Sequence, residues 1–245
     1  MGQKRLRVFA GPNGSGKSSL TEIIRSQFDL GIYVNADEIE KQFKANNRLL
    51  FEPFGINVEA GEFFAGMRTS TLFPEGVVSA LEKCVRLEAN QLLLLENYQQ
   101  EKMAYLPSYT ATIIWEKLLL CAQKFTVETV MSHPSKLDFM RRAQAMGFKV
   151  YLYFVTLASP EMNSMRIAER VANGGHAVSV DKIESRYYRT MDLLLDALRI
   201  VDSAYLFDNS YTDAKLVAKK ENGRFSVEGD FPPAWLSQYV LNKLV

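Results

Sequence analysis

Hydrophobic and polar positions fall into two periods along the chain. RLRVFA (5–10) is a short apolar run that reads as a buried strand, and GKSSLTEIIRSQF (16–28) spaces its apolar residues as an amphipathic helix. GIYVN (31–35) reads as a second strand, followed by the acidic ADEIEKQF (36–43). From Ala36 to about Ala122 the three-and-four spacing predicts mainly helix, including EGVVSALEKCVRLEANQLLLLENYQQEKMA and SYTATIIWEKLLLCAQ, with no strand expected inside it. FTVETVM (125–131) and KVYLYFVTL (149–157) are β-rich, and the segment between them reads as a helix ending near Gly147, the pattern of a crossover between parallel strands. PEMNSMRIAERVA (160–172) predicts a helix, NGGHAVS a glycine-rich loop, and 180–204 a longer helix. AYLFDNS closes the parallel core, and the tail carries a hairpin signal at Asn222–Gly223 followed by the helix-like PPAWLSQYVLNKLV. No repeat, low-complexity tract or linker marks a second autonomous domain, so residues 1–245 are expected to form one domain with a helical, acceptor-side insertion over about 46–121.

Composition changes this picture little. A chain of 245 residues, 47% hydrophobic and 23% charged, has the make-up of a globular protein. A formal charge of +1, with no basic, aromatic-studded tract, points away from nucleic acid and membrane surfaces and toward a small partner. The first residues are basic, but their apolar run is too short for a signal-peptide core, and no apolar stretch approaches a membrane span, so a cytoplasmic location is expected. Cys84 and Cys121 form no CxxC pair, and the chain has two histidines, which argues against structural zinc; both thiols are expected buried and reduced.

The candidate chemistry begins at GPNGSGKSSL. Gly11, Gly16, Lys17 and Ser18 satisfy the spacing G-x-x-x-x-G-K-[ST], and the match sits between a predicted strand and a predicted helix. Glycines let backbone amides approach phosphate oxygens; Lys17 supplies a cation for the β and γ phosphates, and Ser18 a hydroxyl for magnesium. The expected ATP-binding set is Gly11, Pro12, Asn13, Gly14, Ser15, Gly16, Lys17, Ser18 and Ser19. No NKxD sequence or strand-terminal magnesium aspartate suggests a GTPase or motor.

A phosphoryl acceptor needs a carboxylate to orient its hydroxyl and take the proton. Asp37, at the end of the second strand, has the position for it, and equally the position to cap the helix that follows. Glu128 places a charge inside an apolar strand, with Thr129 and Ser132 beyond it, and such a charge is costly unless it serves a partner. Arg166 and Arg170 share a helical face before VANGGH, and Arg186 follows in ESRYYRT; with the phosphate turn present, Arg170 and Arg186 read as lid arginines that neutralise charge during transfer. Arg166 is open between that role and surface ion pairing, and the role of His176 is open.

Read together, GPNGSGKSSL, NADEI, FTVETVMSH, GFKVYLYFVTLASPE, RIAERVANGGHAVSVDKIESRYYRT and LFDNS stand in an order that resembles the zeta toxin family of P-loop kinases, over about residues 5–45 and 122–210. The resemblance implies a mostly parallel, five-stranded α/β kinase fold and ATP- and magnesium-dependent phosphorylation of a small molecule, UDP-N-acetylglucosamine at the 3'-hydroxyl of its aminosugar. It implies Lys17 and Ser18 on ATP and Mg2+, Asp37 as base, Glu128 and Thr129 on the acceptor, Arg170 and Arg186 in the lid, and an antitoxin protein as partner. Two departures stand out: the helical stretch after residue 46 is longer than the family's, and Ser18 replaces the commoner threonine. The rival readings are a kinase of a nucleoside, antibiotic or simple sugar, and a nucleotide-binding interaction module without turnover.

Overall fold

The computed structural model describes residues 2–95, 105–172 and 179–244, and His176 lies outside them. In chain order the elements are β1 (Lys4–Ala10), α1 (Lys17–Arg25), β2 (Ile32–Val34), α2 (Ala36–Asn46), β3 (Arg48–Leu50), α3 (Ala60–Thr69), α4 (Val77–Cys84), β4 (Val85–Glu88), β5 (Gln91–Leu94) and α5 (Leu106–Cys121). They continue with β6 (Lys124–Thr129), α6 (Ser135–Ala145), β7 (Phe148–Thr156), α7 (Pro160–Ala172), α8 (Val180–Asp192), α9 (Leu194–Ile200), β8 (Ser203–Asp208), β9 (Lys215–Glu221), β10 (Arg224–Val227) and α10 (Ala234–Tyr239). Two compact units result, one of residues 1–31 and 123–245, the other of residues 32–122.

The first unit is built on parallel strands in the order β8-β7-β1-β6, extended by the antiparallel hairpin β9-β10. The middle of one face of this sheet is apolar. Val8 stands opposite Val127 and Leu152, and Leu152 opposite Ala204; all four are essentially inaccessible. Trp235 of α10 packs near Phe154 on the same side. On the opposite face Phe9 and Tyr153 stack with ring centroids 4.7 Å apart, and Leu20 of α1 closes over them. Burial of each such side chain contributes about 1.5–3 kcal/mol, which is why these strands read as nearly continuous apolar runs. The hairpin turns at Asn222 and Gly223, both at positive φ, as the sequence predicted. The long helix expected over 180–204 is divided into α8 and α9 at Leu193.

The second unit departs from its expected all-helical character. It holds a three-stranded antiparallel sheet, β3-β5-β4, beside helices α2 to α5. The segment VRLEANQLLL, read as helix, is a hairpin whose two turn residues, Ala89 and Asn90, have φ of 48° and 56°. The period is two: Val85, Leu92 and Leu94 are buried while Arg86 and Glu88 are exposed. Tertiary packing has overridden the helix propensity of Leu, Glu and Ala. Asn90 fastens the turn, its Nδ2 donating to Ile56 O (2.8 Å) and its Oδ1 accepting from Val58 N (3.0 Å). Cys84 is buried, but Cys121, expected to be buried too, is exposed at the last position of α5; both are free thiols. Among the described residues no helix is long and apolar enough to cross a membrane.

Candidate active site

The carboxyl end of β1 runs into the phosphate turn, and α1 begins at Lys17. Gly11, Gly14 and Gly16 have φ of 146°, 75° and 95°, conformations that cost an L-residue roughly 1–2 kcal/mol each. Gly16 caps α1 without a side-chain bond, and the first helical turn holds no acidic residue, so its amides and partial positive charge meet no protein carboxylate from that turn. Lys17 is 8% exposed and lies along the turn, its Nζ donating to the carbonyls of Gly11 and Pro12 at 2.9 Å. Ser15 Oγ is buried and finds no hydrogen-bond partner among the described residues, a deficit of about 1–3 kcal/mol that an anion in the turn would relieve. Backbone, cation and hydroxyl thus fit a phosphate chain.

Ser18 follows on the exposed side of α1, and its Oγ donates to Glu128 Oε1 at 3.2 Å. Glu128 is 9% exposed on β6, across from Phe9 of β1. The charge that the sequence singled out therefore stands beside the hydroxyl assigned to magnesium. No cluster of three or more metal-type side chains exists among the described residues. One hydroxyl and one carboxylate suit magnesium, which keeps waters and phosphate oxygens in its shell and needs few protein ligands.

Thr129 Oγ1 accepts from Met131 N (3.1 Å) in a tight turn that brings Met131 to φ 58°, and Ser132 follows half-buried. Arg170 is exposed on α7, and Arg186 is half-buried on α8. Arg166 is engaged with backbone, its guanidinium donating to Asn209 O (2.6 Å) and Tyr211 O (3.3 Å). Asp37 belongs to the second unit. Asn35, not Asp37, caps α2, accepting from Asp37 N at 2.8 Å; this leaves the exposed Asp37 carboxylate without that duty.

Two asparagines at the turn had no role in the sequence reading. Asn163 Nδ2 donates to Asn13 O (2.6 Å), and Asn209 Nδ2 donates to Ser15 O (2.8 Å). Asn209 lies in the DNS segment, whose other members hold the chain in place: Asp208 accepts from Ser210 N and from Trp235 Nε1, and Ser210 Oγ accepts from Ala158 N. The one sequence signal for Asn163 is its place four residues before Ile167, on the helical face that α7 buries.

No protein-family profile matches the chain. An uncharacterized protein of Haemophilus influenzae is 35% identical over 63 residues, 26% of this chain and 45% of that protein. Among solved structures, a chain of the AvrRxo1-ORF1:AvrRxo1-ORF2 complex with sulphate ions superposes with a TM-score of 0.57 at 15% identity, covering 96% of this chain and 63% of that one. The same complex with ATP gives 0.52 at 15% identity, covering 92% and 61%. A structure from the PezAT chromosomal toxin-antitoxin system of Streptococcus pneumoniae gives 0.52 at 11% identity, covering 89% and 72%. The chain thus spans about three fifths of the AvrRxo1 chains and under half of the Haemophilus protein. At these identities the similarity establishes the fold alone, an α/β fold with a mostly parallel sheet flanked by helices, shared with the AvrRxo1 complex chain and the PezAT structure.

Proposed function

We propose that this protein transfers the γ-phosphoryl group of ATP to a hydroxyl of a small molecule, a UDP-N-acetyl sugar of the UDP-N-acetylglucosamine type. The observation that carries the reading is the phosphate turn with a buried lysine along it and a hydroxyl–carboxylate pair, Ser18 and Glu128, beside it. A structure of the same fold solved with ATP supports the choice of nucleotide.

In this reading residues Gly11 to Ser19 hold the phosphates, and Lys17 leaves its two loop carbonyls to meet them. Ser18, with Glu128 beside it, would hold magnesium, which when bound offsets charge on the β and γ phosphates. Asp37 orients the acceptor hydroxyl and takes its proton. Glu128, Thr129 and Ser132 line the acceptor side, and Arg170 and Arg186 offset charge on the phosphoryl group in transfer. Positioning and electrostatics supply most of the rate. ATP and a nucleotide sugar place the reaction in the cytoplasm. The whole chain acts as one kinase domain, and an antitoxin-type protein is the partner we infer, since one similar structure comes from a toxin-antitoxin system.

Incubation of the purified protein with ATP, magnesium and a metabolite extract supplemented with UDP-N-acetylglucosamine, read by mass spectrometry, tests the proposal. One phosphate gained by the UDP-sugar with matching ADP is expected. Gain by another metabolite instead overturns the acceptor class, and no phosphorylated product at all overturns the kinase reading in favour of a binding module.

A further inference from the structure

We propose that Asn163 and Asn209 are positioning residues that aim the amides of the phosphate turn, an inference that rests on the nucleotide reading above. The geometry is that of the peptide bond. In a trans peptide the carbonyl and the following N–H point in opposite directions, and no described peptide is cis. Asn163 fixes the carbonyl of Asn13 and Asn209 fixes that of Ser15, so the N–H groups of Gly14 and Gly16 are turned away from the two asparagines. Two amides are thereby oriented before any anion arrives.

The glycines serve this clamp as much as the ligand. A Cβ on Gly16 would lie 2.2 Å from Asn209 Nδ2, and one on Gly14 would lie 2.9 Å from Asn163 O and 3.0 Å from Ile167 Cγ1. The clamp is itself anchored. Asn209 N donates to Thr156 O (2.9 Å), and its carbonyl accepts from Arg166 (2.6 Å). Asn163 is 0% exposed. Asn163, Ile167 and Arg170 follow one another at four and three residues on α7, so a single stripe grips the turn and carries a proposed lid arginine. The turn and α7 therefore form one body.

The test uses Asn163→Asp and Asn209→Asp, which keep size and replace a donor with a carboxylate facing a carbonyl. Arg166→Gln, a milder variant, loosens the 209–211 backbone and leaves the Asn163 bond in place. Tyr205→Phe, which removes a bond to Glu221 elsewhere on the sheet, controls for general loosening. Affinity for a fluorescent ATP analogue, amide hydrogen exchange of residues 11–16 without nucleotide, and thermal unfolding are measured on each folded variant. Both Asp variants are expected to lose about tenfold or more in affinity and to exchange faster at 11–16, Arg166→Gln less of each, and Tyr205→Phe neither. Wild-type affinity and exchange in the Asp variants, or losses no larger than the control's at equal thermal stability, overturn the clamp. If the wild type binds no ATP analogue, the kinase reading falls, and exchange at 11–16 alone decides the clamp.

Discussion

The phosphate turn of the first unit and the hairpin turn of the second are both fastened by asparagines, but from different distances along the chain. Asn163 and Asn209 reach the turn from 150 and 194 residues away, whereas Asn90 grips residues 32 and 34 positions before it. A loop held by distant groups has a geometry that exists only once the whole unit has folded. The partners of Asn90, Ile56 and Val58, lie outside its β4–β5 hairpin but closer along the chain, so that turn needs a shorter stretch of the protein in place. The first arrangement suits a site whose amides must keep one orientation, and the second suits a scaffold.

The largest effect is expected at Asp37, the proposed base: Asp37→Asn should reduce acceptor phosphorylation by up to about 10^4-fold while ATP affinity is unchanged. Retained turnover would remove Asp37 as the base. Next comes the first unit's cation. Lys17→Ala should lower turnover by about 10^3-fold, since it removes the cation lying along the phosphate turn; steady-state rates decide it, with urea unfolding to confirm that the variant is folded.

Asn90→Ala measures the near-neighbour brace. Two side-chain bonds vanish and an alanine must adopt φ near 56°, so the protein should lose about 2–3 kcal/mol in denaturant unfolding. A loss below half a kcal/mol would mean the hairpin does not depend on this residue. The smallest effect belongs to Ser18→Thr, which keeps the hydroxyl; turnover should stay within about threefold of wild type, whereas Ser18→Ala should need far more magnesium to reach half its maximal rate.

Legibility followed the same contrast. The glycine turn, β6 to β8 and the hairpin at Asn222–Gly223 were readable because each rests on a local signal: a fixed spacing, a doubly buried apolar run, or a turn dipeptide. β4 and β5 were hidden. Each is four residues long, made of helix-forming residue types, and joined by Ala89–Asn90 rather than by a glycine turn. Asn35 took the cap that local pattern offered to Asp37, because α2 begins at Ala36, two residues earlier than a cap at Asp37 would place it. Asn163 and Asn209 could not be assigned a role from sequence, since each acts on a carbonyl more than a hundred residues away. Glu128 was visible as a charge in a buried strand, but its contact with Ser18 is set by the pairing of β1 with β6.

The central claim is that this turn delivers phosphate to an alcohol. It is tested most directly by following the label from γ-labelled ATP in the presence and absence of UDP-N-acetylglucosamine, with Asp37→Asn alongside. The account predicts label on the sugar nucleotide only when acceptor is supplied, and none with the variant. Label released as inorganic phosphate regardless of acceptor, or equal transfer by the variant, would contradict it.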